Sequence, residues 1–554
     1  MPRRRAVHVC ESCHRRKIRC DIESTRLPCS KCTEIRRLCK LRARKPYRGR
    51  KRTERSNSAR ENDRDHEIVT TLPSSRPDSI KIVAAAIPEP SSRIAPIFVG
   101  EGGYGAILDA TDDTTDHHFH VPATAEKALA AEDLEYLKIK GCFSLPAESK
   151  ELTKAYFEFV HPTFPVIDGA AFLQGYAASG FEGINLLLLW SMFSISASYI
   201  PTLPRKARKE TYTHRAKLLF DLSHETDKIV LVQSALLLSF WFAYAEDVKQ
   251  SWYWTGIAFS IAQTLGLHRH VSPAHTQFTT QQRAVWRNIW QCCMIRDVWL
   301  AFGMGRPLRI NASDCDLSLC QFANLLLHGE KLFSSREATG LESIWKDLIT
   351  TSNFLRDVIT SKASSPSRIK SLQDRIDIRV ISTSTFLLTH VQRHLKLHQY
   401  AVIAAMTRAS GLGQADTLKA ADSTTALIQT LLDDNTAMYA APTIIPLLVP
   451  AMVTYLATTT QSTKPKSQEA RKAGVNQLNV YSRLLTAIED NYPAASILKR
   501  VFAAAQESVD GQVSNQRDEE EAQPGSIGQV LSPLEWDPIA AESALWLPDI
   551  GSSI

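Results

Sequence analysis

Six cysteines stand near the N-terminus in the order Cys10-x2-Cys13-x6-Cys20-x8-Cys29-x2-Cys32-x6-Cys39. One unit is used twice: a Cys-x2-Cys pair, then a single cysteine seven residues later. Thiolates are strong ligands for zinc, which takes four of them in a tetrahedron with Zn–S near roughly 2.3 Å. Two intervening residues let one turn present both sulfurs to one ion, and six fit a short helix that returns to the metal. Two separate tetrahedral ions need eight ligands, so six serve two ions only if two sulfurs are shared. The spacing alone also allows one four-cysteine site with two spare thiols. Basic residues fill the gaps, as in His14-Arg15-Arg16-Lys17-Ile18-Arg19. That mixture points to a sulfur-bound metal scaffold presented to nucleic acid.

Little besides metal can position these residues. The stretch holds few apolar side chains, so the module is expected to be unfolded without zinc, which gives zinc-finger peptides roughly 10–16 kcal/mol. Its charge is local. Residues 1–60 carry 21 Lys+Arg against 5 Asp+Glu, whereas the whole chain of 554 residues has a net charge of +7, so the remainder is acidic. A basic module on an otherwise acidic chain is the footprint of a polyanion-binding segment. No apolar stretch follows Met1-Pro2-Arg3-Arg4-Arg5, so no secretory leader is expected. In a reducing compartment this cysteine spacing favours metal over disulfides. The apolar runs at 184–200 and 440–457 are broken by Asn185 and by Pro442, Pro446 and Pro450, and are expected to be buried helices, with no membrane span.

The organisation follows from composition. Residues 6–41 form the cysteine module, and 42–125 a basic tail (42–52) with a Ser-, Asp- and Pro-rich linker expected to be disordered. From 126 to 505 the chain is expected to be one large all-α domain. Trp254, Ile257, Ala258, Ile261, Ala262 and Leu265 form a helical stripe closed by Gly266, and Trp286, Ile289, Trp290 and Cys293 form another. Ser361–Ser371 and 462–468 are expected to be loops. Residues 506–554 mix Asp518-Glu519-Glu520-Glu521 with isolated bulky apolars such as Trp536 and Trp546, the composition of a disordered activation segment.

With these motifs in place, the N-terminus resembles the fungal Zn(II)2Cys6 binuclear cluster family of transcription factors. All six cysteines match the family pattern, and Pro28 before Cys29 is typical of it. The resemblance implies two zinc ions. Cys10 and Cys29 would bridge them, Cys13 and Cys20 would complete one ion, and Cys32 and Cys39 the other. Six thiolates against two divalent ions leave two negative charges, which Arg15, Arg16, Lys17, Arg19, Lys31, Arg36 and Arg37 reverse. The resemblance also implies that the first short helix enters the major groove. There Lys17, with Arg16 beside it, would read the O6 and N7 acceptors of guanine in a CGG triplet, while Arg15 and Arg19 hold phosphates. Three further segments resemble the family's middle regulatory region: 156–168, 258–269, and 283–308 with its Arg296-Asp297 pair.

The resemblance implies a nuclear transcription factor with double-stranded DNA as partner and control of nutrient-use or secondary-metabolite genes, and the acidic tail is expected to contact the transcription machinery. A repressor with the same DNA module and a zinc-bearing RNA-binding or scaffold protein are the alternatives. Residues 53–85 show no heptad run, so any homodimer is expected to form elsewhere. No catalytic constellation stands out, and an enzyme is not expected. Gly100-Glu101-Gly102-Gly103-Tyr104-Gly105 matches a nucleotide-loop pattern but lacks a following βαβ unit. His390, His394 and His398 are expected on a half-exposed helix face. Asp297 lies on the apolar stripe of its helix and needs a partner, for which Arg306 or another nearby base is expected.

Overall fold

A computed structural model of the chain describes residues 13, 20, 29–34, 39, 90–100, 118–124, 128–240, 250–270, 279–316, 333–361, 366–378, 385–409, 414–460 and 465–522. The chain divides into two units, Met1–Pro73 and Ser74–Ile554.

In the first unit, helix α1 (Ser30–Glu34) opens directly on the second cysteine pair. The Cys29 carbonyl accepts the N–H groups of Cys32 and Thr33, both at 3.0 Å, so one turn brings Cys29 and Cys32 to the same side.

The second unit is predominantly helical. An antiparallel pair, β1 (Pro90–Phe98) and β2 (His118–Thr124), precedes the helices. This corrects the expectation of disordered linker throughout 53–125. Prolines at 90, 96 and 122 hide the pattern, yet a two-stranded ribbon tolerates proline because each strand has an edge. Within this unit the ribbon docks beside Gly266 through His118, whose Nε2 lies 3.1 Å from the Gly266 carbonyl oxygen, and through Phe98. Gly266 has φ 68°, and a Cβ there would meet Phe98 at 2.5 Å and His118 at 2.6 Å. Glycine is thus required both for the left-handed turn and for the close approach.

The helices follow in order: α2 (Ala131–Ile139), α3 (Ser149–Ala155) running into a π-turn at Tyr156–Val160, α4 (Gly169–Ser179), α5 (Leu186–Ser196), α6 (Arg205–Asp221), α7 (Lys228–Leu238), α8 (Ser251–Thr264) and α9 (Thr280–Met304). Then come α10 (Ser335–Ser361), α11 (Pro366–Ile378), α12 (Phe386–Ala409), α13 (Gln414–Asp433), α14 (Ile444–Thr460), α15 (Pro465–Ile488) and α16 (Pro493–Ala522). The expected loop at 361–371 is corrected: α11 begins at Pro366, where proline suits a first helical turn. Likewise α15 begins at Pro465, inside the expected loop 462–468. Helix α16 passes the expected domain end at 505 and includes the acidic run 518–521.

Long α9 organises the core. A capping box closes its start, with the Thr279 hydroxyl accepting the Gln282 N–H while the Gln282 side chain accepts the Thr279 N–H. Gly305, at φ 61°, ends it. Between these points Trp286, Ile289, Trp290, Cys292, Cys293, Val298 and Trp299 are all buried. Burial pushes the Cys292 and Cys293 thiols up, so both behave as small apolar side chains. The apolar runs at 184–200 and 440–457 are the buried helices α5 and α14; among the described residues no single helix is long and apolar enough to cross a membrane. Helix α14 approaches α9 at Gly303, where a Cβ would stand 2.8 Å from Pro446. At the far side, the buried Lys209 of α6 donates to the Asn491 carbonyl at 2.7 Å and to its side-chain oxygen at 3.2 Å, with the ammonium 4.5 Å from the Tyr492 ring centre. One tie thereby fastens α6 to the turn between α15 and α16.

Candidate metal centre and buried charges of the helical domain

Cys13, Cys29 and Cys32 bring their sulfurs within 4.8 Å of one another, all buried. The Cys13 and Cys29 Sγ atoms are 3.6 Å apart. A disulfide would hold them near roughly 2.05 Å, whereas two thiolates on one tetrahedral zinc at roughly 2.3 Å stand about 3.8 Å apart. The donor set therefore fits a metal. Cys20 is also buried, and the Cys39 sulfur accepts the Cys29 N–H at 3.3 Å, so five of the six cysteines belong to one sulfur-lined core. Cys10 lies outside the described residues, as do Arg15, Arg16, Lys17 and Arg19. The glycine pattern at 101–105 and the tail beyond 522 lie outside them too. On the surface of α1, Lys31 pairs with Glu34 at 3.0 Å; a pair this exposed contributes little to stability.

In the helical domain Asp297 is buried, but Arg306 is not its partner. The carboxylate accepts the backbone N–H groups of Arg309 (3.1 Å) and Ile310 (3.0 Å), which follow the glycine that ends α9. Arg306 instead lies over the Trp252 ring at 5.1 Å. Burial raises the Asp297 pKa, while the two N–H donors and the nearby Arg356 and Arg309 charges act against that rise. The motif's acid is a clamp on the turn after α9. Sequence reading missed this because backbone donors leave no residue signature.

The three histidines of α12 are buried, not half-exposed. Helix α12 packs on α10, α11, α13 and α14, so little of it faces water. His398 meets Trp299 edge-on at 4.5 Å, and His390 meets Phe159 edge-on at 5.8 Å. Burial holds His390 and His398 down to about 4, and His394 well below its ordinary 6.5. Each is neutral in the fold and charged in the unfolded chain below pH 6.5. The unfolded state then binds more protons, so their contribution is complete above 6.5 and lost progressively as pH falls toward about 4. A histidine in this window changes the slope by up to about 1.4 kcal/mol per pH unit. Urea unfolding of His390→Leu at pH 7.5, 6 and 5 is expected to show a shallower acid loss than the parent; an identical slope would remove the histidine from the account.

A small cysteine-rich module that fits metal, followed by a large helical domain, defines a two-part regulator. The fungal Zn(2)-Cys(6) binuclear cluster domain matches residues 8–48, and the fungal specific transcription factor domain matches residues 153–395. The chain belongs to the Zn2Cys6 fungal transcription factors, a family of DNA-binding regulators whose cluster domain binds two zinc ions. Cutinase transcription factor 1 beta of Fusarium vanettenii is 36% identical over 35% of this chain and 23% of its own length. Cutinase transcription factor 1 alpha of the same organism is 28% identical over 57% of this chain and 41% of its own. The acetamidase regulatory protein of Aspergillus oryzae is 34% identical over 31% of this chain and 23% of its own. The chain thus matches between 23% and 41% of the length of these curated relatives.

Proposed function

We propose that this chain is a nuclear, sequence-specific activator of RNA polymerase II transcription that binds CGG-containing DNA and controls the genes of one metabolic pathway. The observation that carries this reading is the 3.6 Å Cys13–Cys29 sulfur contact inside a basic module. In this reading Cys10 and Cys29 bridge two zinc ions, with Cys13, Cys20, Cys32 and Cys39 completing them. Zinc supplies a rigid scaffold and no reaction. Lys17 and Arg16 read guanine, and Arg15 and Arg19 hold phosphates. The relatives' names tie each to one enzyme, cutinase or acetamidase, which supports a regulator dedicated to one pathway. Contact with the transcription machinery falls in this reading to the acidic tail 506–554, and its deletion in a reporter assay separates activation from repression. A homodimer, if formed, uses the helical domain.

Binding of the zinc-loaded chain to duplexes with and without CGG, competed by RNA, tests the reading. Lys17→Ala is expected to reduce discrimination for CGG by about 1–3 kcal/mol, roughly 5- to 150-fold, while non-specific binding changes little. Undiminished discrimination in this variant would reject the assigned readout, and preference for RNA would reject the DNA function.

A further inference from the structure

Arg296 is buried at the middle of α9, 7% exposed. Its Nε donates to the Ser239 hydroxyl at 2.9 Å and one terminal nitrogen donates to the Ser239 carbonyl. The guanidinium carbon lies 4.2 Å from the Phe240 ring centre. Among the described residues no carboxylate pairs with it, and its Nη1 has no hydrogen-bond acceptor. Asp297, next in sequence, is turned to the backbone of Arg309 and Ile310. Burial alone lowers the Arg296 pKa to about 9. A buried guanidinium without an anion is a costly arrangement that ordinarily marks a missing partner.

Arg296 also lines a cavity of about 160 Å³ where α9, α14 and the start of α16 meet. Trp299, Met304, Val449 and Leu498 supply apolar walls. A second, smaller cavity of about 60 Å³ shares Arg296 and Trp299 and continues toward His394 and His398. A cavity near 150 Å³ is large enough to take benzene. The guanidinium fork matches a carboxylate in shape and charge.

We infer that this cavity binds a small monocarboxylate with an apolar body, its carboxylate on Arg296 and its hydrocarbon between α9, α14 and α16. Such a ligand supplies the missing anion and fills the space between three helices. It therefore favours the conformation in which α16 is docked, which gives a metabolite a means of biasing the regulator. The inference concerns the helical domain and does not depend on the DNA reading.

The test is calorimetric titration of the full zinc-loaded chain with benzoate and hexanoate, against benzamide and hexanamide as neutral isosteres. Saturable binding of at least one carboxylate is expected, at least tenfold tighter than its amide. Arg296→Gln is expected to weaken it at least tenfold. Ala494→Phe, which narrows the cavity from α16 without touching the guanidinium, is expected to do the same and decides the matter if Arg296→Gln does not fold by circular dichroism. Failure of both carboxylates to bind, equal binding of acid and amide, or undiminished binding in Ala494→Phe would overturn the inference.

Discussion

Chelation of zinc is expected to abolish specific DNA binding completely while leaving the thermal transition of the helical domain unchanged. The cysteine module has almost nothing else to fold around. Its core among the described residues consists of Cys13, Cys20, Cys29 and Cys32, with Cys39 packed against them. The sulfurs of Cys13 and Cys29, 3.6 Å apart and buried, would repel as thiolates without a cation between them. Metal binding worth roughly 10–16 kcal/mol in zinc-finger peptides far exceeds what so small a core can supply. Cys29→Ser is the sharper probe, because Cys29 contacts Cys13, anchors the start of α1 and donates its N–H to the Cys39 sulfur. The variant is expected to bind fewer than two zinc ions per chain and to lose CGG-dependent binding. The helical domain should melt as in the parent, since the two units are separate. Full zinc stoichiometry with retained specific binding in Cys29→Ser would refute the shared-sulfur arrangement.

Asp297→Ala is expected to destabilise the helical domain by about 3–5 kcal/mol, as breaking a buried charged network does. The loss has two sources. The N–H groups of Arg309 and Ile310 lose their acceptor, at about 1–3 kcal/mol for the buried Ile310 donor and less for the part-buried one of Arg309. Arg356, buried beside Asp297, loses the carboxylate charge that favours its own ionised form. Asp297→Asn keeps a carbonyl acceptor and is expected to cost clearly less. Urea unfolding followed by tryptophan fluorescence reads both, since the change sits among Trp290 and Trp299 on α9. Equal midpoints for parent and Asp297→Ala would show that the turn after α9 needs no clamp.

The cysteine module was legible because metal chemistry is written in residue type and spacing. Helices α8 and α9 were legible because Trp254 to Leu265 and Trp286 to Cys293 recur at helical period and Gly266 stops the first. The β1–β2 ribbon was not, since prolines interrupt it and its stabilising contacts are with Gly266, far along the chain. His390, His394 and His398 misled for a related reason. A one-sided helical stripe and a helix enclosed by several neighbours can carry the same residues, and only tertiary packing distinguishes them. The sequence offers Arg296 only as half of an Arg296-Asp297 pair; that Asp297 turns away from it cannot be read from neighbours in the chain.

The tie between Lys209 and Asn491 bears on where the folded unit ends. Its two members are 282 residues apart, and the family's matched span stops at residue 395. Lys209 lies inside that span and its acceptor outside it, so the evolutionary module is shorter than the physical one. A fragment trimmed to the matched span would keep the ammonium and discard the oxygens that hold it. Helices α15 and α16 are thus structural members of the domain, and its closure waits until the chain has been synthesised 282 residues past Lys209.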